Sequence, residues 1–274
     1  MTSLERAARP AVWAEPPALL RFVLDTGIIA RSELRKVMRD PVEVLSRAVQ
    51  PILWLVVFGQ VLASVRAIPT GSLSYLDFLA PGVLAQSALF SAIFYGIAVI
   101  WERDLGIVQK LLVSPASRTA LVSGKALAGG LRAIVQVVIV TLVAAVIGIH
   151  LRLDPLTIVL VGVVVVLGSA LFATFSLIIA CVVRSRERFM GIGQLMTMPL
   201  FFASSAIYPV ALMPDWLRAV AMLNPLTYMV DALRSLMIVG GVSEHGFATD
   251  LALLVLAFAI LMAIAARIYP RLAE

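Results

Sequence analysis

The sequence predicts an all-α membrane protein with six transmembrane helices and an N-terminal interfacial amphipathic helix. Three observations predict it. Of 274 residues, 61% are hydrophobic and only 14% are charged, against about 45–50% apolar and about 25% charged in a soluble domain; the mean hydropathy is +1.02. Six apolar stretches reach or approach the roughly 20 residues that a helix needs to cross a bilayer. The Lys and Arg residues between them gather on alternate connections.

The elements follow in chain order. Residues 1–47 carry eight basic and six acidic residues and no long apolar run, so neither a signal peptide nor a first span is expected there. Within them, IIARSELRKVMRDPVEVLSR (28–47) places Leu34, Val37, Met38, Val44 and Leu45 at near-helical spacing with Arg31, Arg35, Lys36 and Arg39 between them. Such a helix can lie flat at the membrane surface, with Asp40-Pro41 breaking it. A simple positive-inside anchor is the lesser alternative, and the two readings are compatible.

The expected spans are about 48–65, 77–101, 126–149, 156–183, 190–211 and 249–266. With six spans, segments 1–47, 102–125, 184–189 and 267–274 share one side and hold 17 Lys and Arg; the other side holds four, Arg66, Arg152, Arg218 and Arg234. That asymmetry places both termini in the cytoplasm. Arg132 falls about 9 Å inside the third span at 1.5 Å per residue and is expected to snorkel toward the surface. Gly124 with Ala128, and Ala126 with Gly130, are small pairs four apart that permit close helix packing.

Between the second and third spans comes WERDLGIVQKLLVSPASR (101–118). On a helix over 102–113, Leu105, Val108 and Leu112 share a face with Leu111 beside them, and charged residues cover the remainder. Ser114-Pro115 ends it. A short amphipathic helix held between two spans can dock in a groove of a partner protein or simply lie at the interface.

Residues 212–248 are too polar and too rich in proline for another span. Met213-Pro214 opens a piece and Asn224-Pro225 divides it. Asp231 and Arg234, three apart, can pair on one helical face. Two half-helices dipping into the outer leaflet fit; so does a surface helix with Trp216 and Tyr228 as interface anchors. Phe201, Phe202, Ser205 and Tyr208 lie toward the outer end of the fifth span, where they line a candidate pathway in a dimer or form a lipid-facing belt.

Several functions are disfavoured. The net charge of +6 is not arranged as a basic stripe with interleaved aromatics, so no nucleic-acid partner is expected. No G-x-x-x-x-G-K-(S/T) occurs, hence no P-loop. Cys181 is the lone cysteine, and His150 and His245 form no H-E-x-x-H pair, so no metal site is expected. Ser204-Ser205 has no neighbouring base, and no span carries the carboxylate pair of a proton relay. A stand-alone channel or membrane-embedded enzyme is thereby disfavoured.

The segment 101–127 resembles the cytoplasmic loop of type-2 ABC transporter permeases, with the pattern (R/E)-E-x-G-(T/I)-x-x-x-L-L-x-(S/T)-P. Arg103-Asp104-Leu105-Gly106-Ile107 and Leu111-Leu112-Val113-Ser114-Pro115 carry the match, Asp104 standing where Glu is more usual. Residues 201–234 resemble the outer segment of the same family, with Tyr208-Pro209, Pro214, Trp216, Asn224-Pro225-Leu226, Tyr228 and Arg234 in order. The resemblance covers about 28–268, read as a type-2 ABC transporter transmembrane domain between cytoplasmic tails 1–27 and 269–274. The subgroup it is most similar to is the daunorubicin-resistance type of drug exporter permease.

The resemblance implies a coupling helix whose Glu102, Arg103, Asp104, Gly106 and Leu111 contact an ABC ATP-binding subunit. It also implies an outer re-entrant helical hairpin between spans five and six, holding Pro209, Trp216, Asn224, Pro225, Tyr228, Asp231 and Arg234. The chain by itself would be no enzyme and would bind no cofactor; ATP and Mg would sit on the partner subunit. A second copy of the chain, or a related permease, would complete the exporter in the lipid bilayer of a bacterial cytoplasmic membrane. Cargo would be a hydrophobic or amphipathic drug, antibiotic or lipid; the alternative is a polysaccharide or lipid-linked glycan.

Overall fold

The computed structural model describes residues 17–38, 49–65, 68–113, 117–183 and 185–269. Among these the chain is almost entirely helical, with one isolated antiparallel bridge between Leu151 and Ile238. Four helices are long and apolar enough to cross a membrane: α3 (Tyr75–Asp104), α5 (Arg118–Ile147), α6 (Pro155–Val182) and α10 (Phe247–Ile268). Around them stand α1 (Ala18–Met38), α2 (Val49–Val65), α4 (Ile107–Leu112), α7 (Arg186–Phe202), α8 (Asp215–Leu223) and α9 (Pro225–Met237).

The first helix begins earlier than the expected residue 28. Its opening, ALLRFVLDTGIIA, is apolar enough to pack. The Ile29 side chain lies so close to Gly124 of α5 that a Cβ there would overlap it, and the Thr26 carbonyl would be in tight contact. Leu20, Val23, Leu24 and Ile28 remain exposed. Asp40-Pro41, Val44 and Leu45 lie outside the described residues. The middle of α2, Trp54–Gly59, is wound as a π-helix. It turns Leu55 and Gly59 inward and leaves Val56, Val57, Phe58 and Val61 exposed.

At the centre is α3, buried on most of its surface from Phe78 to Ile93 and packed against α5, α6, α7 and α9. Ser74 caps it, its hydroxyl accepting the Asp77 N–H at 3.1 Å. Small hydroxyls cross-link the apolar core, as they do between helices in lipid. Ser176 of α6 donates to the Ile93 carbonyl and accepts from the Gly96 N–H. Ser169 donates to the Gly129 carbonyl at 3.1 Å. The small residues of α5 serve two interfaces: Gly124 meets α1, and Gly130 meets Val166 of α6.

Boundaries agree with expectation at α6 and α10. By contrast α3 continues through Asp104, and α5 begins at Arg118. The stretch expected as a span over 190–211 becomes α7, which stops at Phe202. Its physical cause is tertiary. The carbonyls of Leu200 and Ala203, which a continuing helix would use, accept hydrogen bonds from Asn224 Nδ2 at 2.6 and 2.7 Å. Tight turns and the 3-10 turn Val210–Leu212 follow.

The end of the bundle away from α4 is stitched across the chain. Arg152 N–H donates to the Met237 carbonyl, and Val239 N–H to the His150 carbonyl. His150 N–H in turn donates to Asp77 Oδ1 at 2.9 Å. Asp154 caps α6, and hydrogen bonds from Thr157 hold its carboxyl below the usual carboxylate range.

Candidate functional site

The elbow between α3 and α4 concentrates the charges that interrupt the apolar sequence. Leu105 N–H closes on the Trp101 carbonyl at 3.0 Å, and Gly106 N–H on the Arg103 carbonyl at 2.9 Å. Gly106 has φ +71°, a left-handed conformation that glycine adopts without steric cost. The helix expected over 102–113 is therefore two helices. This break resets the phase, so Leu105, expected on the apolar face, is 66% exposed, while Val108 and Leu111 pack into the core. A valine at position 106 should cost about 1–2 kcal/mol, the penalty of a Cβ in that conformation. The check is the unfolding midpoint of Gly106→Val in detergent; an unchanged midpoint would show that the turn does not depend on glycine.

Three consecutive charged residues tie this elbow to three other elements. The Glu102 carboxylate is buried and pairs with Lys125 of α5. Arg103 reaches the Val183 carbonyl, at the end of α6, at 3.5 Å. Asp104 pairs with Arg186, in the first turn of α7, at 2.7 Å. The guanidinium of Arg186 also lies 3.6 Å from the centroid of the Trp101 ring. The elbow is thus bonded to α5, to the end of α6 and to the start of α7. The outward surface is formed by Asp104, Leu105, Gln109, Lys110 and Val113.

At the other end, Asn224 is the hinge post. Besides holding the end of α7, its Oδ1 accepts the Leu226 N–H at 3.0 Å and caps α9, where Pro225 occupies the first turn. Thr227 donates to the Ala221 carbonyl at 2.8 Å, and Tyr228 to the Met222 carbonyl at 2.5 Å, folding α9 back on α8. The core-facing α9 buries most of its residues against α3, α6 and α10, so it is not a surface helix. Trp216 on α8 is exposed.

Arg234 is buried and makes three contacts. It donates to the Ser205 carbonyl at 2.6 Å, stands 3.6 Å from Asp231, and lies 3.9 Å from the Phe78 ring centroid. The expected pair of Asp231 and Arg234 thus forms in the protein interior. Among the aromatic residues read as pathway lining, Phe201 is buried and packs edge-on against Trp54. Ser205 is also buried. Phe202 is exposed, and Tyr208, just before Pro209, donates to the Phe202 carbonyl at 2.6 Å. Arg132, expected to snorkel, turns onto α3 with its guanidinium 4.8 Å from the Tyr95 ring centroid.

An apolar cleft of about 770 Å³ opens between α1, α5, α6 and α10, lined by Phe22, Leu127, Val163, Val166, Val255 and Phe258 among others. Sequence reasoning missed Lys125 and Arg186 as partners of the elbow. It also missed that Asp250 joins Asp231 and His245 in one cluster. No local spacing marks these pairs; the only sequence signal is a charged residue beside or inside an apolar run.

The pattern of the ABC-2 type transporter family matches residues 25–238. A putative transport permease, ycf38, of Cyanophora paradoxa is 27% identical over 221 residues, covering 78% of this chain and 74% of its own length. The probable doxorubicin resistance ABC transporter permease protein DrrC of Mycobacterium tuberculosis is 26% identical, covering 78% and 76%. The daunorubicin resistance ABC transporter permease protein DrrB1 of Streptomyces coeruleorubidus is 26% identical, covering 72% and 69%. In such systems the permease is the membrane-spanning subunit and ATP hydrolysis is carried by a separate subunit. With the family pattern spanning both the elbow and the α8–α9 segment, the chain belongs to the ABC-2 type transporter family, as a permease subunit.

Proposed function

We propose that the chain exports a hydrophobic or amphipathic compound, a drug, antibiotic or lipid, from the cytoplasm or inner leaflet of a bacterial cytoplasmic membrane. In this reading α2, α3, α5, α6, α7 and α10 are six spans with both termini cytoplasmic, α1 lies at the interface, and α8–α9 form a re-entrant hairpin on the outer side. Two permease chains, identical or related, face each other through the exposed apolar surfaces of α2 and α7, with Phe202 and Tyr208 toward the shared path. Phe201 and Ser205 support that wall from within each chain. The names of the doxorubicin and daunorubicin resistance relatives support the cargo class, as does the apolar lining of the cleft.

The observation that carries the reading is the three-way tie of Glu102, Arg103 and Asp104. An ATP-binding subunit seated on Asp104, Leu105, Gln109 and Lys110 would move the ends of three spans together. For hydrolysis to shift the permease between conformations, that subunit must bind those conformations differently. The test is to purify the chain with the ATPase encoded beside its gene and to measure a stoichiometric complex and vanadate-sensitive hydrolysis. Leu105→Glu is expected to abolish the complex while leaving insertion and folding unchanged; a complex that survives it would remove the elbow as the docking site. Asp104→Arg should leave stability within about 1 kcal/mol, the usual range for an exposed pair, yet lower transport per ATP, with Arg186→Asp restoring it. Equal transport by the single variant would refute the transmission role.

A further inference from the structure

Where α9, the 238–246 connection and α10 meet, two carboxylates are buried at one point. Asp231 is 1% exposed and Asp250 is 0% exposed. His245 stands between them, its Nδ1 3.1 Å from Asp231 Oδ2 and 4.0 Å from Asp250 Oδ1. One donor atom from each of the three residues lies within 4.8 Å of the others.

The hydrogen bonds at this point leave a gap. Asp231 Oδ2 accepts the N–H groups of Glu244 and His245 at 2.8 and 3.3 Å, with His245 Nδ1 at 3.1 Å and the Ser243 oxygen 3.4 Å away. Its Oδ1 faces Arg234, 3.6 Å away. Asp250 Oδ2 accepts the Ser243 hydroxyl at 2.7 Å. Asp250 Oδ1, fully buried, accepts no hydrogen bond and lies across from the His245 ring nitrogen. Arg234 balances one carboxylate. The other leaves a buried negative charge, which needs a cation or a proton beside it.

We propose that Asp231, His245 and Asp250 form a binding site for one divalent transition-metal ion, with zinc the best fit. An imidazole nitrogen with two carboxylate oxygens is a donor set that zinc favours. Magnesium and calcium instead favour all-oxygen shells of six or more ligands. Small side-chain rotations would bring the three donors onto one ion with bonds of about 2.0–2.2 Å. His245 is 22% exposed on its side chain, so the ion reaches the site from outside, and water or the exposed Glu244 can complete its coordination. Tyr228 packs edge-on against the His245 ring, 5.3 Å between centroids, and holds it in place. The bound ion staples α9 to α10. This proposal is independent of cargo and of the ATP-binding partner.

The experiment uses the full chain in detergent, carrying an affinity tag without histidines and stripped with a chelator. Zinc, and separately magnesium, is titrated while heat of binding and unfolding midpoint are followed. Wild type is expected to bind one zinc per chain, to gain thermal stability from it, and to show no matching response to magnesium. His245→Ala and Asp250→Asn should each weaken zinc binding by about tenfold or more. His245→Cys, which supplies another zinc donor, should retain it, and His150→Ala should leave it unchanged. Elution profiles and unfolding in chelator establish that each variant is folded. The proposal is overturned if wild type shows no saturable zinc binding, in which case a proton balances the cluster. It is equally overturned if His245→Ala and Asp250→Asn bind zinc as tightly as wild type.

Discussion

Lys125→Ala is expected to cost about 3–5 kcal/mol, the loss typical when one member of a buried ion pair is removed and the other stays behind. Lys125 is nearly inaccessible on α5 and pairs with Glu102, itself buried at the end of α3. Without the ammonium, Glu102 must either carry its charge without its nearest counter-charge or take up a proton. Both options loosen the joint between α3 and α5 at the elbow. The double variant Glu102→Gln with Lys125→Met should recover most of the stability, because a buried pair replaced by groups of similar volume is often neutral. Thermal unfolding of Glu102→Gln, Lys125→Met and the double variant in detergent measures the coupling. Losses that simply add would mean that the pair contributes nothing as a pair. Lys110→Ala, an exposed neighbour on α4, serves as the reference for an ordinary surface change.

Asn224→Ala should rank next, with a loss on the order of 2–4 kcal/mol. Its amide donates to the Leu200 and Ala203 carbonyls, and its oxygen accepts the Leu226 N–H. Truncation leaves three backbone groups without these bonds in a buried place, each worth about 1–3 kcal/mol before relaxation. Asn224→Asp separates the two roles. It keeps the acceptor that caps α9 but offers no N–H to the carbonyls of α7, so it should be nearly as damaging. Amide exchange of residues 203–207 should speed up in both variants. Unchanged exchange there would show that the end of α7 is held by something other than Asn224.

The family resemblance was legible because its motifs are local. Gly106, whose missing Cβ admits a left-handed turn, and the prolines of Asn224-Pro225 and Tyr208-Pro209, which fix φ, each mark a place where the residue itself sets the backbone. The length of α6 was legible for a related reason. Asp154-Pro155 is a capping residue followed by a proline at the first helical position, and no charged residue follows for seven turns of helix.

Partners across the chain were not legible. Glu102, Arg103 and Asp104 read as one solvated charged face, whereas they turn to three different elements. Leu105 read as part of an apolar face until the left-handed turn at Gly106 moved it outward. The fifth apolar run read as continuing to residue 211, and its helix ends at Phe202 because a side chain from residue 224 takes its carbonyls. Asp231 and Asp250, on separate helices, carried no sign of sharing one buried site with His245.

What the sequence determined alone was which segments are helical and apolar, because hydropathy and capping are properties of neighbouring residues. The tertiary structure alone decided where those helices stop and which buried charges face each other. Those outcomes depend on groups far apart in the chain competing for the same carbonyls and counter-charges, and no local pattern records the competition.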